Sequence, residues 1–465
     1  MIRYFRSILP SRLILLVLLY LALRLPLIFF GFPTTAPELL YMLIGERMAD
    51  GFEMYHDIYD NTAPLSAMFY WLIDLVVGRS VVVYRVVATV LLLIQCLVLN
   101  STFNRHNVYG SQNYLPALLY LLLGSITFEF DMLTPLLIGN TFVIMSLPYF
   151  LTLSREGLDS HRLFVGGFML GLAALSYLPL ALFLLMGLFA VILFASNSFR
   201  SFLLTLCGFL FPYAVLMTYY MYVGSQQFFL DLHLLRPWRF NINFLLPPDD
   251  LAILLAAPAL VLLLGLLSAA SLPQRLVFQV KFQQLMWVWL IVSLVVIFTR
   301  EEVSAGTFVM ALPAVAYFSE YIFTSSRKAW ILNTLFLLIV ASVVLLRYRD
   351  PLKIDGLIAL EESALLLPQA PATPANATVL VLGNDRSYYI QNKLATPYLN
   401  WRLSQRHFAQ LNNYEAVHAI YLNFIQEKPT YIIDKAGMMQ ELQYKLPGIF
   451  ELYSPTATPG VFKLK

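Results

Sequence analysis

The sequence predicts a polytopic α-helical membrane protein with a small α/β domain in its C-terminal part. Three observations predict it. First, the 465 residues are 59% hydrophobic and only 12% charged. Soluble domains carry about 25% charged residues, so this chain cannot cover a water-facing surface of its length. Second, its apolar stretches are continuous over about 20 residues and do not alternate, which suits spanning helices and not a β-barrel. Third, the composition changes at PQAPATPANAT (368–378), a Pro/Ala linker, after which short β runs begin. Intrinsic disorder, coiled coil, collagen and a soluble enzyme are excluded together.

Spanning segments are expected near 12–32, 81–103, 113–128, 135–153, 163–178, 179–196, 201–223, 251–270, 284–299, 305–324 and 329–347, about eleven in all. The first is too long for a signal-peptide core and no small-residue cleavage site follows it, so it reads as a retained helix. Pro64 to Gly78 is apolar but short and carries Asp74. As a helix it would rise roughly 22 Å, against a hydrocarbon core of about 30 Å. It is therefore expected to lie along the membrane surface.

Charge supports that choice. With the N-terminus inside and 64–78 not spanning, the inner connections hold Arg3, Arg6, Arg12, Arg105, Arg155, Arg162, Arg200, Arg275, Lys281, Arg327 and Lys328. Each inner connection then carries a basic residue, as insertion demands. If 64–78 spanned, every later loop would change sides. The net charge of +3 adds little, and nothing points to nucleic acid. Localisation in a bacterial inner membrane is expected, with a cytoplasmic N-terminus and a periplasmic C-terminal domain, because no extended cytosolic region is present.

The expected domains are a transmembrane part over 1–348, including a first outer loop at 33–80, a linker over 349–378, and a soluble α/β domain over 379–465. The last shows β runs at Val379 to Gly383, Tyr431 to Asp434, Phe450 to Tyr453 and Val461 to Leu464, with a helix near 411–427. One glycine after the first strand is far short of a dinucleotide fingerprint, so a structural cap over the membrane part is the plain reading. Cys96 and Cys207 both lie in apolar stretches, so neither a disulfide framework nor a zinc site is indicated. Asn376-Ala377-Thr378 and Asn100-Ser101-Thr102 match a glycosylation sequon, a weak signal.

The first outer loop carries Glu38, Glu46, Asp50, Glu53, His56, Asp57, Asp60 and Asp74. Carboxylates beside a membrane need water or a partner. A partly desolvated one can serve as a general base toward a hydroxyl; a solvated acidic face is the bland alternative. In the short outer turn between the third and fourth spans, Glu129 and Asp131 lie two residues apart, so only one would face a site; Asp131 is favoured. A phosphate on this side would need cations, and Arg236, Arg239 and Arg300 are the candidates, with Arg offering a two-pronged fork. Anchoring to lipid headgroups is the alternative for them. His56 could bind phosphate or a metal, and so could His233. No His/Asp/Glu spacing reaches a metal motif, so no metal and no other cofactor is expected.

A resemblance joins these residues. The order Pro-Glu, apolar helix, Gly-Glu-Arg-Met-x-x-Gly, Tyr-x-Asp, Asn-x-x-Pro-Leu, apolar interfacial helix, Gly resembles the first periplasmic loop of GT-C-fold glycosyltransferases. These integral-membrane enzymes include protein O-mannosyltransferases and the lipid A aminoarabinose transferase. Glu38 matches the Glu of the family's Asp-Glu pair, Asp57 the Asp of Tyr-x-Asp, and Pro64-Leu65 the start of the interfacial helix. Gly166 to Tyr177, Phe211-Pro212-Tyr213 and the tail from Val379 are similar to later parts of the family. The resemblance implies inverting transfer of a sugar from a polyprenyl-phosphate donor on the outer face, drawn from the membrane lipid, to a lipid, glycan or protein acceptor. It implies Asp57, Glu38 and Asp131 as catalytic residues, and His56, Arg236, Arg239 and Arg300 as substrate-binding. Pro37 stands where the family usually has its first Asp. That role then falls to Glu38 or Asp57, or the chain keeps the fold as an inactive membrane subunit with partners in a larger complex. A transporter is the third reading; the absence of a long internal repeat and the few mid-span charges give it no support.

Overall fold

The computed structural model describes residues 2–30, 32–156, 159–195, 199–235, 243–271, 276–299, 302–324, 329–354, 360–361, 365–369, 371–372, 374–395 and 397–465. Among these, seven helices are long and apolar enough to cross a membrane: Pro10–Phe30, Val81–Arg105, Pro135–Leu153, Phe199–Val223, Pro248–Ala270, Val277–Phe298 and Ala329–Arg347. The chain is a multi-pass membrane protein. The other four expected spans are helical but short: Leu115–Leu123, Ser160–Ser176, Leu178–Phe194, and the pair Ala305–Met310 and Leu312–Thr324. Nearly all of Leu115–Leu123 and Leu312–Thr324 is buried by protein. Hydropathy alone does not separate a helix buried in protein from one facing lipid.

The chain divides into two units. One comprises Met1–Phe32, Val82–Met221 and Pro237–Glu362; the other comprises Pro33–Val81, Tyr222–Arg236 and Ser363–Lys465. The first outer loop, grouped by sequence with the transmembrane part, thus shares its contacts with the C-terminal residues.

In the first unit, contacts sort the helix ends into two sets. Tyr114 N donates to Phe5 O (2.9 Å), Asn113 to Glu320 (2.9 Å) and Lys281 Nζ to Leu193 O (2.6 Å). All of these ends were expected inside. Arg85 donates to Phe32 O (2.9 Å), and Asn243–Phe244 pairs with Glu302–Val303. The Glu129 carboxylate accepts from Ala305 N (3.1 Å) and Gly306 N (3.0 Å). All of these ends were expected outside. The alternation that follows from leaving 64–78 out of the spans is therefore supported by packing.

The glycine-rich helix Ser160–Ser176 crosses Phe199–Val223 at close range. A Cβ on Gly167 would collide with the Thr205 carbonyl, and one on Gly208 with the Phe164 carbonyl. Small residues facing each other let two backbones touch, the usual way helices associate where lipid removes the hydrophobic drive. Gly208→Val is expected to lower stability by about 1–3 kcal/mol through overpacking. Thermal unfolding of the purified protein in detergent checks this, and an unchanged midpoint would show the crossing to be loose.

In the second unit, Pro64–Val77 is a single 14-residue helix, opened by Pro64 and closed by Gly78 at φ +77°. Pro64, Ser66, Ala67 and Tyr70 are buried, while Met68, Leu72, Leu75, Val76 and Val77 are exposed. A short helix with one apolar face left open suits the lipid surface expected for it. The C-terminal residues form a five-stranded sheet in the order Lys393–Leu394, Thr378–Leu382, Tyr431–Asp434, Val461–Leu464, Tyr453–Pro455. Thr378–Leu382 and Tyr431–Asp434 are parallel, which requires a crossover. The helix Tyr414–Gln426 lies in that connection and buries Ala416, Ile420 and Phe424. The edge strand Lys393–Leu394 and the helices Trp401–Ala409 and Met439–Lys445 were not expected. They are too short to show a period.

Candidate functional site

The outer turn of the first unit is built around one carboxylate. Thr127 caps the turn Phe128–Asp131 by accepting from Glu129 N. Asp131 Oδ1 accepts from Arg24 Nε (2.6 Å) and Oδ2 from Arg347 Nη2 (2.7 Å). Arg24 also donates to Phe130 O (2.6 Å) and to the Tyr20 hydroxyl. Arg347 donates to Leu23 O (3.0 Å) and Ser125 O (3.1 Å). All three charged groups are buried. Burial resists ionisation of Asp131, but the two guanidiniums outweigh it and hold the carboxyl below its usual range. A carboxylate clamped in this way is a poor proton acceptor. It fixes two arginines.

Beside the clamp lies a narrow cleft with a free volume of only about 10 Å³, lined by Leu27, Ile28, Phe32, Arg85, Phe128, Asp131, Leu346, Arg347, Arg349 and Asp350. Phe32 and Phe128 stack at 4.1 Å between centroids and form part of its apolar wall. Three arginines face two acids there, an excess of one positive charge. Arg349 Nε lies 3.4 Å from Asp350 Oδ1. Cations at one side and hydrocarbon at the other suit an anion carried on an apolar tail.

The second unit holds the other predicted residues. Glu38 is 1% exposed and closes a capping box at the start of Ala36–Ala49. Its Oε2 accepts from Thr35 N and Thr35 Oγ1, both at 3.0 Å, and Glu38 N donates back to Thr35 Oγ1 (3.3 Å). The Thr-x-x-Glu spacing is itself a capping signature. Its carboxylate therefore ends a helix, and a base there would have to break that cap. Asp57 Oδ2 accepts from Glu53 N (2.9 Å), and Oδ1 meets His56 Nδ1 at 2.7 Å. Asp60 is fully buried, accepting from Thr62 N (2.8 Å) and Asn400 Nδ2 (2.9 Å). His233 packs on Phe229 (5.3 Å) and Tyr55 (6.5 Å). Burial pushes its pKa down to about 3, so it brings no positive charge to a phosphate at neutral pH.

A second cleft in this unit, lined in part by Glu46, Arg79, Asn376, Asn392 and Lys393, has its charges paired with one another. Arg79 reaches Glu46 (3.4 Å) and the carbonyls of Asn392 (3.1 Å) and Tyr389, and Lys393 reaches Asp50 (3.6 Å). Burial pushes the Glu46 carboxyl up despite Arg79 and Lys393.

Glu38, His56 and Asp57 thus belong to one unit and Asp131 to the other. Arg236, Arg239 and Arg300 lie outside the described residues. Among the described residues no group of three His, Cys, Asp or Glu side chains is placed to hold a metal ion. Sequence reasoning passed over Arg24, Arg85, Arg347 and Arg349 as site residues. A signal existed: these arginines stand at span ends expected outside, where insertion does not call for positive charge.

The chain has the GT-C fold of integral-membrane glycosyltransferases. It superposes on ArnT from Cupriavidus metallidurans bound to undecaprenyl phosphate with a TM-score of 0.57 at 12% identity, covering 97% of this chain and 98% of that one. Against the apo ArnT structure the TM-score is 0.52 at 15% identity, over 70% of this chain and 63% of that one. No protein-family model and no curated protein sequence matches the chain.

Proposed function

We propose that this chain is an inverting membrane glycosyltransferase that takes a sugar from a polyprenyl-phosphate donor. The observation that carries the reading is the cleft of Arg85, Arg347 and Arg349, walled by Phe32, Phe128, Leu27 and Ile28. It belongs to the helix ends that the basic-residue pattern assigns to the outer face. A structure of similar fold was determined with undecaprenyl phosphate bound. In the proposed reaction the arginines stabilise the phosphate as it departs from the anomeric carbon, where charge develops. A base takes the acceptor's proton. The reading places the protein in a bacterial inner membrane with its C-terminal domain periplasmic.

The test is release of labelled sugar from an undecaprenyl-phosphate hexose by the purified protein in nanodiscs. The Glu38→Gln/Asp57→Asn double variant is expected to lose activity by about 100-fold or more. Wild-type rates in that variant would sink the assignment. A second reading, an inactive scaffold subunit, is favoured by Pro37 and by the use of Glu38 as a cap. It predicts no release by the wild type and stable co-purification with other membrane proteins.

A further inference from the structure

We propose that the proton acceptor is the His56 imidazole, that Asp57 is its positioning residue, and that the acceptor substrate attacks through a hydroxyl. The proposal rests on the transferase reading of the same loop and names the chemistry within it.

The segment around His56 is closed on itself. Asp57 N donates to Glu53 O (2.9 Å), Tyr55 N to Ile58 O (3.1 Å), and Glu53 N to Asp57 Oδ2 (2.9 Å). At its centre Tyr55 has φ +73°, in the left-handed region that suits glycine. Such a conformation in a side-chain-bearing residue is strained, and strain of this kind concentrates at working sites. The Tyr55 ring is fully buried; its hydroxyl donates to Thr62 O (2.8 Å), and Phe229 and His233 pack against it. The buried ring anchors a turn whose next residue points out. The His56 side chain is 51% exposed, whereas that of Asp57 is 14% exposed. Phe228 meets the imidazole edge-on at 5.6 Å.

The 2.7 Å contact between His56 Nδ1 and Asp57 Oδ1 decides the roles. A carboxylate only accepts, so Nδ1 must donate. The neutral imidazole then keeps its lone pair on Nε2, at the far side of the ring from Asp57. This is the relation of base and orienting carboxylate found in Ser-His-Asp triads, where histidine takes a proton from a hydroxyl. Asp57 has both oxygens engaged already, one by Glu53 N and one by His56. Glu38 is engaged at its helix cap and Asp131 between two arginines. The imidazole therefore carries the open acceptor position among the predicted residues.

The step balances as follows. The acceptor's hydroxyl oxygen forms a bond to the anomeric carbon. The bond from that carbon to the phosphate oxygen breaks, and its electron pair stays on the phosphate. The hydroxyl proton goes to Nε2, and the imidazolium, steadied by Asp57, releases it to water. A phosphate-oxygen acceptor would attack already ionised and would need no base; a built base therefore points to a hydroxyl.

The test uses the full chain, labelled with ¹⁵N-histidine, in nanodiscs. In the wild type the neutral His56 signal, assigned by its loss in His56→Gln, is expected to be the Nδ1–H tautomer. Asp57→Asn is expected to shift it toward Nε2–H, a change that a merely structural role would not produce. His56→Gln is expected to slow sugar release from an undecaprenyl-phosphate hexose by about 100-fold or more while binding undecaprenyl phosphate like the wild type. An Nε2–H tautomer in the wild type, or a wild-type rate in His56→Gln, overturns the proposal alone. A wild type that neither binds undecaprenyl phosphate nor releases sugar overturns the transferase reading, and the proposal with it.

Discussion

Asp131→Ala is expected to destabilise the protein by about 3–5 kcal/mol, the range for removing one member of a buried ion pair. The reason is what it leaves behind. Arg24 and Arg347 would remain in the interior, each still tied to backbone carbonyls, with no negative charge between them. Asp131→Asn keeps the shape and some hydrogen bonds, so it should fall between the two. Thermal unfolding in detergent ranks the three proteins, and a near-wild-type midpoint for Asp131→Ala would show that the clamp is dispensable. The same group gives a pH dependence of known sign. Its folded pKa lies below the ordinary value of 3.8. Its contribution is therefore complete above that value and is lost as the pH falls through the lower, folded one. The wild type should lose stability below about pH 4 more steeply than Asp131→Asn, which has no carboxylate to protonate there.

Arg349→Ala and Arg85→Ala are each expected to weaken binding of undecaprenyl phosphate by roughly 10- to 100-fold, corresponding to about 1.5–3 kcal/mol for a hydrogen bond to a charged group. Both residues line the cleft, and neither belongs to the Asp131 clamp. Arg85 also donates to Phe32 O and Arg349 to Leu346 O, so the unfolding midpoint separates lost affinity from lost stability. Arg349→Lys keeps the charge but not the planar fork, so it should recover only part of the affinity. Titration of the lipid phosphate into nanodiscs reads all of this. Equal affinity in wild type and both alanine variants would remove the cleft from the mechanism.

Most of the fold was legible because its causes are local. Continuous apolar runs mark helices, and the inner basic residues fix which ends lie together, which the Phe5–Tyr114 and Glu129–Gly306 contacts bear out. The β run Tyr431 to Asp434 is a strand, and the run Val379 to Gly383 is one up to Leu382. What escaped was the set of contacts made over distance. Asp131 stands 107 residues from Arg24 and 216 from Arg347, and no local pattern announces that meeting. Cations were sought in the outer loops at 236, 239 and 300, whereas the arginines of the cleft stand at the edges of spans. Glu38 shows the opposite case. Its Thr-x-x-Glu signature was in plain view, and its carboxylate holds a helix end, a local role that the resemblance does not display. His56 was noted for phosphate or a metal, because its contact with Asp57 is one that the sequence does not display.

The pairing of the first outer loop with the C-terminal residues bears on how the protein is made. Asp60 waits for Asn400, a partner 340 residues later, and Ala36 N waits for Leu365 O. At ordinary synthesis rates of about 5–20 residues per second, that interval is on the order of 20–70 seconds. During it, the loop carrying His56 and Asp57 has left the ribosome but lacks the part of the chain that completes its surroundings. A polypeptide stalled before residue 400 would leave Asp60 without its Asn400 hydrogen bond.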